Sequence, residues 1–579
     1  EKGHSDRKSA FVRLSDFVGA KQQGPRALEI IDAHNNEQSD HSDMRKYFFE
    51  VNQHEFAQIP GSPIVYWLGE QLRKTLINPA SDTILFSDGL IKTGDNLQYL
   101  RLWWELISTD VDNKSRYRFC AKGGKERNYY GNLNNVVKWD EETRDYYRSD
   151  KVARISPKYL WDKEGITWTK ISSRGGTFRL LRKEDIAETG GPSLFLKDNV
   201  DGNDLLSFIG VITSSLAPYI LQGLNPTLNY QTGDVLRFPL PIKKEEALSS
   251  LVHSMIGSSK EDWDSFETSW DFQRFALLDP NQGSQAGDLL EDAVTHLREY
   301  WDRVSEEQRQ REIRNNEMVA DAYGVRDDVP CDVLLERVSL KRNVAFAYPK
   351  DTPEVRNEKF AQDVVKELIS YAVGCMFGRY SLDKPGLILA SQGETLNDFH
   401  AQIPNPSFEP DADNVIPVTE TDCFEDDIVT RFRRFLTVAF GKENLAANIA
   451  YIEQVLGKSI RKYFVNDFYN DHVKMYSNRP IYWQYSSQTN NKGSFKALVY
   501  LHRYTPKTTN VVLNYLRDYA NKIADIADSL ERSDRTTDKK QAAKLRKAIL
   551  ECKDYEDQTL YPLATSNLEI DLDDGVLVN

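Results

Sequence analysis

The sequence predicts an α+β fold in which an irregular, β-rich region is followed by a mainly α-helical C-terminal region. Between residues 84 and 240, short β-branched and aromatic runs alternate with Gly, Asn, Asp and Ser. After Pro241 the pattern becomes mostly helical, as over 286–323, where breakers are nearly absent and apolar residues recur every three or four positions. The 579 residues are enough for about three or four domains with buried cores.

The first part of the chain predicts short elements. Residues 1–60 mix short amphipathic pieces with polar segments, and the breakers Pro60, Gly61 and Pro63 that follow indicate a boundary or a tight turn. Strands are expected at 83–86, 135–139 and 165–168. A buried helix is expected over 203–222, followed by a strand near 235–238.

The second part predicts longer helices. Their positions follow from apolar spacing over 286–323, 363–378 and 425–470, and the Pro- and Asp-rich stretch 385–424 predicts a long loop between the last two. Residues 508–560 predict a helical hairpin with a charged turn at 531–535. We therefore expect domains at 1–70, 71–245, 246–424 and 425–579.

Composition excludes several classes of protein. The net charge of −14 excludes a generally basic protein that coats nucleic acid. No apolar run reaches the roughly 18 residues of a membrane helix, so no membrane partner is expected. The five cysteines lie far apart without metal-ligand spacing, which is typical of free thiols in a reducing compartment. A cytoplasmic location is expected.

A local reversal of charge is the strongest functional signal. Residues 111–183 contain 18 Lys and Arg against 9 Asp and Glu, so this window carries +9 and the remainder carries −23. The same window contains 11 aromatic residues. Cations beside aromatic rings and Asn-rich loops suit a surface that grips phosphates and touches base edges. The alternative is that the charges form a solvated face and the aromatic residues form a core.

Two glycine-containing loops in this window, 122–132 and 170–177, are candidate contacts to nucleic acid. Their glycines permit close backbone approach and their Lys and Arg side chains supply charge. A hairpin with a basic tip would show the same pattern. The turn 92–96 upstream could present Lys92 and Asn96.

Several catalytic motifs are missing from the sequence. Gly457-Lys458-Ser459 resembles the end of a phosphate-binding loop, but Ile452 occupies the position of the required glycine. No G-x-G-x-x-G pattern and no zinc-hydrolase or deaminase motif occurs. Acidic clusters at 425–427 and 571–574 leave a metal-dependent nuclease as a weaker hypothesis, against the alternative of a solvated acidic surface.

The run YAVGCMFGRYSLD at residues 371–383 resembles the PglX family, the adenine-specific DNA methyltransferases of BREX phage-defence systems. Further segments similar to the family lie in order along the chain, at residues 59–64, 93–96, 130–132, 224–229, 263–272 and 479–483. Residues 87–90 and 174–177 depart from the family.

The resemblance implies that the chain corresponds to the C-terminal half of such an enzyme. Residues 1–70 would connect to an N-terminal catalytic half, which would bind S-adenosylmethionine and carry the Asn-Pro-Pro-Tyr motif, and 71–245 would be a DNA target-recognition domain. No catalytic residue, metal ligand or cofactor site is therefore expected here, and double-stranded DNA is the expected partner. The candidate DNA-contacting residues are Lys92, Asn96, Lys122, Lys125, Arg127, Asn128, Tyr129, Tyr130, Asn132, Lys170, Ser172, Arg174 and Arg179.

A protein–protein scaffold is the alternative function. The acidic remainder of the chain and its long helices would suit docking to other BREX subunits more than to DNA. Both functions could hold in separate parts of the chain.

Overall fold

The structure, a computed structural model, confirms the α+β fold. It describes residues 8–572 except 60, 107, 113–115, 171–176, 226, 228, 241–245, 283–288 and 490–491. The first segment is a small unit in which two antiparallel strands pack beside one helix over a core of Ile30, Ala33 and Met44. Its elements and the next helices are β1 (Lys8–Val12), α1 (Ala20–Asn35), β2 (Phe48–Asn52), α2 (Gln53–Gln58) and α3 (Glu70–Thr75).

The β-rich region contains two four-stranded sheets. One has the strand order β3-β10-β7-β8 and the other β4-β6-β5-β9. Their pairs are antiparallel except β5 with β9. The predicted strands at 135–139 and 165–168 are confirmed. The elements are β3 (Leu85–Phe86), α4 (Asn96–Tyr99), β4 (Leu100–Leu102), α5 (Ser108–Asp112), β5 (Tyr117–Ala121), β6 (Asn135–Lys138), α6 (Glu141–Ser149), β7 (Gly165–Trp168), β8 (Phe178–Leu181), β9 (Ile186–Ala187) and β10 (Ser193–Leu196).

Two predictions at the end of this region need correction. The expected single helix over 203–222 is two helices, α7 (Gly202–Thr213) and α8 (Ala217–Leu224), because Pro218 fits only the first turn of a new helix. The expected strand near 235–238 is wrong: residues Thr232–Leu236 form helix α9. The Asp234 carboxylate accepts the Gln231 N–H at 2.9 Å and so caps the start of that helix.

Long helices dominate the following residues, as predicted. The helix expected over 286–323 is α11, and it ends at Gly324, whose φ of 66° is a left-handed conformation that suits glycine. The helix expected over 363–378 is the second half of α13, which begins after the capping residue Thr352. The helices are α10 (Glu246–Asp264), α11 (Leu290–Tyr323), α12 (Val344–Ala347) and α13 (Pro353–Met376).

The C-terminal part combines a three-stranded sheet with helices. The stretch 385–424, predicted as a long loop, contains a short helix and the edge strand of that sheet, whose order is β11-β13-β12. The helical hairpin predicted over 508–560 is confirmed as α19 and α20. The elements are α14 (Leu396–Gln402), β11 (Val415–Pro417), α15 (Ile428–Phe440), α16 (Leu445–Leu456), α17 (Ile460–Tyr463), α18 (Tyr469–Met475), β12 (Tyr482–Ser486), β13 (Lys496–Tyr500), α19 (Thr508–Glu531), α20 (Thr536–Tyr555) and α21 (Tyr561–Ser566).

The two largest apolar cores both combine residues from before and after position 245. One packs Trp103, Trp104 and Val136 with residues between 272 and 500, and the other packs residues 51–238 with residues 248–329. Both cores therefore extend across position 245, one of the domain limits expected from the sequence. Among the described helices, none alone is long and apolar enough to cross a membrane, although α7 and α8, bent by 82°, reach that length and composition together.

Candidate nucleic-acid interface

The loop that follows β5 is built on glycines. Gly123 and Gly124 have φ values of 72° and 144°, which favour glycine, and Asn132 has φ 61°. The Asn132 Nδ2 donates to the Lys125 carbonyl at 2.9 Å, so the two ends of the loop are tied together. A Cβ at Gly124 would lie 2.6 Å from the Asn132 Cγ. The loop therefore has a defined shape in which Lys125 is exposed.

Arg127 does not face solvent, contrary to the prediction. Its side chain is 6% exposed and forms an ion pair with Asp262 of α10, whose side chain is 0% exposed. Its Nε also donates to the Tyr130 carbonyl at 3.2 Å, and its guanidinium lies 5.1 Å from the Trp263 ring centroid. A guanidinium committed to a buried carboxylate is not available to a phosphate.

Tyr129, Tyr130 and Arg179 are also buried, so their predicted contacts to DNA are not available in this structure. The two tyrosines, 1% and 4% exposed, belong to an apolar core. Arg179 is 1% exposed and its Nη1 donates to the Arg127 carbonyl at 3.3 Å. Burial, with the nearby Arg127 charge, lowers the pKa of Arg179 to about 10.

Asn128 lies apart from the glycine loop's exposed face. Its backbone N–H donates to the Ser339 Oγ at 2.9 Å, and its side chain lines a pocket against α7, α8 and α11. The predicted contacts Ser172 and Arg174 lie outside the described residues.

The segments that carry four of the predicted lysines meet at one turn, and we call Lys92, Lys122, Lys125 and Lys170 the lysine cluster. Lys92, Lys125 and Lys170 are exposed, and Lys122 is half-buried. Among the described residues, none of the four forms an ion pair with an acidic side chain. Their segments meet at a turn formed by residues 188–191.

The contacts at this turn place each lysine. The Thr189 N–H donates to the Ile91 carbonyl at 3.2 Å, which brings Lys92 beside the turn. A Cβ at Gly190 would lie 3.3 Å from the Lys122 Cγ. The Thr169 Oγ1 donates to the Gly124 carbonyl at 3.3 Å, which joins Lys170 to the Lys125 loop.

Asn96 and Asn132 flank the lysine cluster. Asn96 is exposed at the start of α4, where its Oδ1 accepts the Thr93 hydroxyl at 2.6 Å. Asn132 is half-buried beside Lys125. Asn96 follows Lys92 by four residues, and Asn132 is tied to the backbone of Lys125.

Most of the other charges and rings in the basic window have structural roles. Arg118 pairs with Asp162 at 2.7 Å and Arg182 with Asp185 at 2.7 Å, and eight of the 11 aromatic residues are buried. Most aromatic residues of the basic window therefore belong to the core, as the alternative interpretation of the sequence expected. The buried rings are Tyr117, Phe119, Tyr129, Tyr130, Trp139, Tyr147, Trp168 and Phe178.

Sequence reasoning missed two features of this surface. Arg154 is exposed, and its backbone forms an antiparallel β-bridge with that of Lys92, so it extends the lysine cluster along the same edge. The Glu188 carboxylate is buried under the turn and accepts the Gly190 N–H at 2.7 Å, which fixes the turn. In the sequence, the adjacent glycines Gly190 and Gly191 could have indicated this turn, because such pairs favour tight turns.

The acidic cluster at 425–427 has structural roles in this structure. Asp427 is 0% exposed, caps α15 through the Thr430 N–H and pairs with Arg461. Asp426 accepts the Tyr515 hydroxyl. Within the described ranges, no group of three or more His, Cys, Asp or Glu side chains is placed to hold a metal ion.

Comparison with known proteins gives two curated relatives, while no protein-family model matches the chain. The adenine-specific methyltransferase BrxX of Escherichia coli O9:H4 (strain HS) is 31% identical over 560 residues, 92% of this chain and 45% of the relative. The adenine-specific methyltransferase PglX of Lacticaseibacillus casei (strain Zhang) is 32% identical over 606 residues, 98% of this chain and 47% of the relative. The chain spans about half the length of these relatives. It is thus a relative of the PglX and BrxX adenine-specific methyltransferases along nearly all of its own sequence.

Proposed function

We propose that this chain is the DNA target-recognition and C-terminal region of a BREX adenine-N6 methyltransferase. The observation that carries the proposal is the match over 92% and 98% of the chain to two proteins named adenine-specific methyltransferases. Methylation of adenine in duplex DNA would require a surface that holds the duplex while the target adenine leaves the base stack.

The lysine cluster supplies such a surface. Its four ammonium groups have no acidic partner among the described side chains, so each is free to neutralise a phosphate. Asn96 and Asn132 add amides, which can hydrogen-bond adenine edges. Concentrating free positive charge on one face of an acidic chain directs a polyanion to that face.

In the complete enzyme, S-adenosylmethionine would supply the methyl group that is transferred to adenine N6. The family resemblance implies that an N-terminal half of the same protein binds that cofactor, and this sequence shows no glycine loop of the kind that would bind it. The residues described here would bind and orient the duplex.

Duplex binding at several salt concentrations tests this proposal. The triple variant Lys122→Ala/Lys125→Ala/Lys170→Ala should weaken binding and reduce the slope of log K against log salt by about 0.9 for each phosphate that is no longer neutralised. The matched control is Lys539→Ala/Lys540→Ala/Lys547→Ala, which removes the same charge from exposed positions of α20. Equally weakened binding in both variants would show that general charge, and not this surface, holds DNA.

Docking of other BREX subunits is the second proposed function, assigned to the helical C-terminal region. It is favoured by the charge of −23 outside the basic window. Co-purification of the two triple variants with BREX subunits separates the functions, because docking through the helical region should survive removal of the lysine cluster. Failure of the subunits to co-purify with the lysine-cluster variant alone would contradict this assignment.

A further inference from the structure

A pocket of about 370 Å³ lies where the β-rich region meets the helices. Its walls come from the start of β8, the junction of α7 and α8, and the middle of α11. None of the four residues of the lysine cluster lines it, and it has no role in the function proposed above. The residues that give it its chemistry are Asn128, Thr177, Ser215, Glu312, Asn316 and Arg337.

Glu312 of α11 is a buried carboxyl group without a counter-charge. Its residue is 9% exposed, and no Lys, Arg or His side chain in the described ranges forms an ion pair with it. The hydrogen bond it receives is a long one, from the Gln308 Nε2 to Oε1 at 3.3 Å. Burial accordingly raises the pKa of Glu312 to about 8. A buried carboxylate is stabilised by a positively charged or strongly donating partner.

Three residues that line the pocket each have a buried side-chain oxygen without a hydrogen-bond partner. These atoms are the Asn128 Oδ1, the Thr177 Oγ1 and the Ser215 Oγ. Buried polar atoms in folded proteins are nearly always paired, and the unpaired ones need an explanation. The amide oxygen can only accept, and each hydroxyl oxygen has free lone pairs. Each of these three oxygens can therefore accept a hydrogen bond from a bound donor.

The charge of the lining agrees with this pattern. It contains the carboxyl groups of Glu126, Glu312 and Asp332 and the guanidinium of Arg337. Asp332 and Arg337 are exposed, whereas Glu312 is the buried carboxyl group of the lining. An anionic ligand would place its charge against Glu312, and a metal ion would find no group of three acidic or His/Cys ligands among the described side chains.

We propose that this pocket binds a small organic cation with ammonium or guanidinium N–H groups. The cationic end would pair with the Glu312 carboxylate, and its remaining N–H groups would satisfy the Asn128, Thr177 and Ser215 oxygens. Charge-assisted hydrogen bonds of this kind are about twice as strong as neutral ones. The volume accommodates a chain of several methylene groups beside the charged end.

Agmatine, which has a guanidinium at one end and an ammonium at the other, is the probe. Calorimetric titration into the 579-residue chain at about 150 mM salt, where surface charges are well screened, should show saturable binding to one site. Glu312→Gln keeps the side-chain shape and removes the charge, so it should weaken binding at least tenfold. Glu299→Gln, which removes an exposed charge from the same helix, should bind as the parent does.

A second variant keeps the proposal open to refutation if Glu312→Gln does not fold. Ser215→Ala removes one unpartnered oxygen at the pocket wall and should weaken agmatine binding by about three- to tenfold. Absence of saturable binding to the parent chain would overturn the proposal. So would equal affinity in the parent and Glu312→Gln, or equally weakened binding in Glu312→Gln and Glu299→Gln.

Discussion

Arg127 and Asp262 form an ion pair inside the protein, with side chains 6% and 0% exposed. The Asp262 carboxylate also accepts the backbone N–H groups of Lys341 at 2.9 Å and Arg342 at 2.7 Å. One carboxylate thus joins the glycine loop, helix α10 and the segment before α12. The basic loop is held to the helical part of the chain by charge as well as by packing.

Arg127→Ala should lower the free energy of unfolding by about 3–5 kcal/mol, because it leaves the Asp262 carboxylate buried without its cation. Urea denaturation followed by circular dichroism measures this decrease. Lys125→Ala, two residues away and exposed, should stay within about 0.5 kcal/mol of the parent. An equal effect of the two substitutions would contradict the structural role of Arg127.

The contrast between Arg127 and Lys125 shows how far the sequence can predict the candidate site. Composition identifies the basic window, and its three predicted lysine contacts, together with Lys92 upstream, are exposed or half-buried around one turn. It does not show that Arg127 is neutralised by Asp262, 135 positions later in the chain. Contacts at such separation depend on tertiary packing, which local residue patterns do not encode.

Prediction of the fold from local residue patterns has the same limit. Long helices such as Leu290–Tyr323 follow from apolar spacing sustained over many turns. The strand prediction at the short helix Thr232–Leu236 is wrong because its few apolar residues fit either structure, and capping by Asp234 decides between them.

A substitution in the turn under the lysine cluster can test this surface without removing a charge. A Cβ at Gly191 would lie 2.5 Å from the Ala121 carbonyl oxygen and 2.9 Å from the Gly123 nitrogen, so Gly191→Ala must displace the end of β5. We expect weaker duplex binding with the salt slope reduced, because the lysines no longer meet at one turn. Gly233→Ala, where no atom lies within 4 Å of the added Cβ, is the control. Unchanged duplex binding by Gly191→Ala would show that the geometry of this turn does not contribute to DNA contact.

The helical hairpin gives a prediction about stability. Leu516 of α19 is 0% exposed in the core between the hairpin and the C-terminal sheet, whereas Leu550 of α20 is 64% exposed. Leu516→Ala should cost about 2–5 kcal/mol, because it removes buried apolar surface and leaves a cavity. Leu550→Ala should cost less than about 0.5 kcal/mol. Denaturant melts of both variants measure the difference, and similar midpoints would mean that the hairpin does not pack as described.

Glu267 connects burial to the pH dependence of stability. The residue is 5% exposed, and burial raises its pKa from 4.5 to about 7, although the Tyr476 hydroxyl donates to its Oε2 at 3.1 Å and the Arg379 charge lies nearby. Between these two pKa values the folded chain keeps a proton that the unfolded chain releases. This contribution to stability is therefore complete below about pH 4.5 and is lost as the pH rises to about 7.

At about 1.36 kcal/mol for each pKa unit, the decrease amounts to about 3 kcal/mol. Glu267→Gln cannot titrate, so its unfolding free energy should fall less than that of the parent between about pH 5 and pH 8, by roughly 2–3 kcal/mol. Urea melts at both pH values give this double difference, which cancels the titration of all other groups. Glu420→Gln, at an exposed position paired with Lys544, should retain the parent's pH dependence. If Glu267→Gln retains it as well, Glu267 is ionised in the folded chain and the Arg379 charge outweighs the cost of burial.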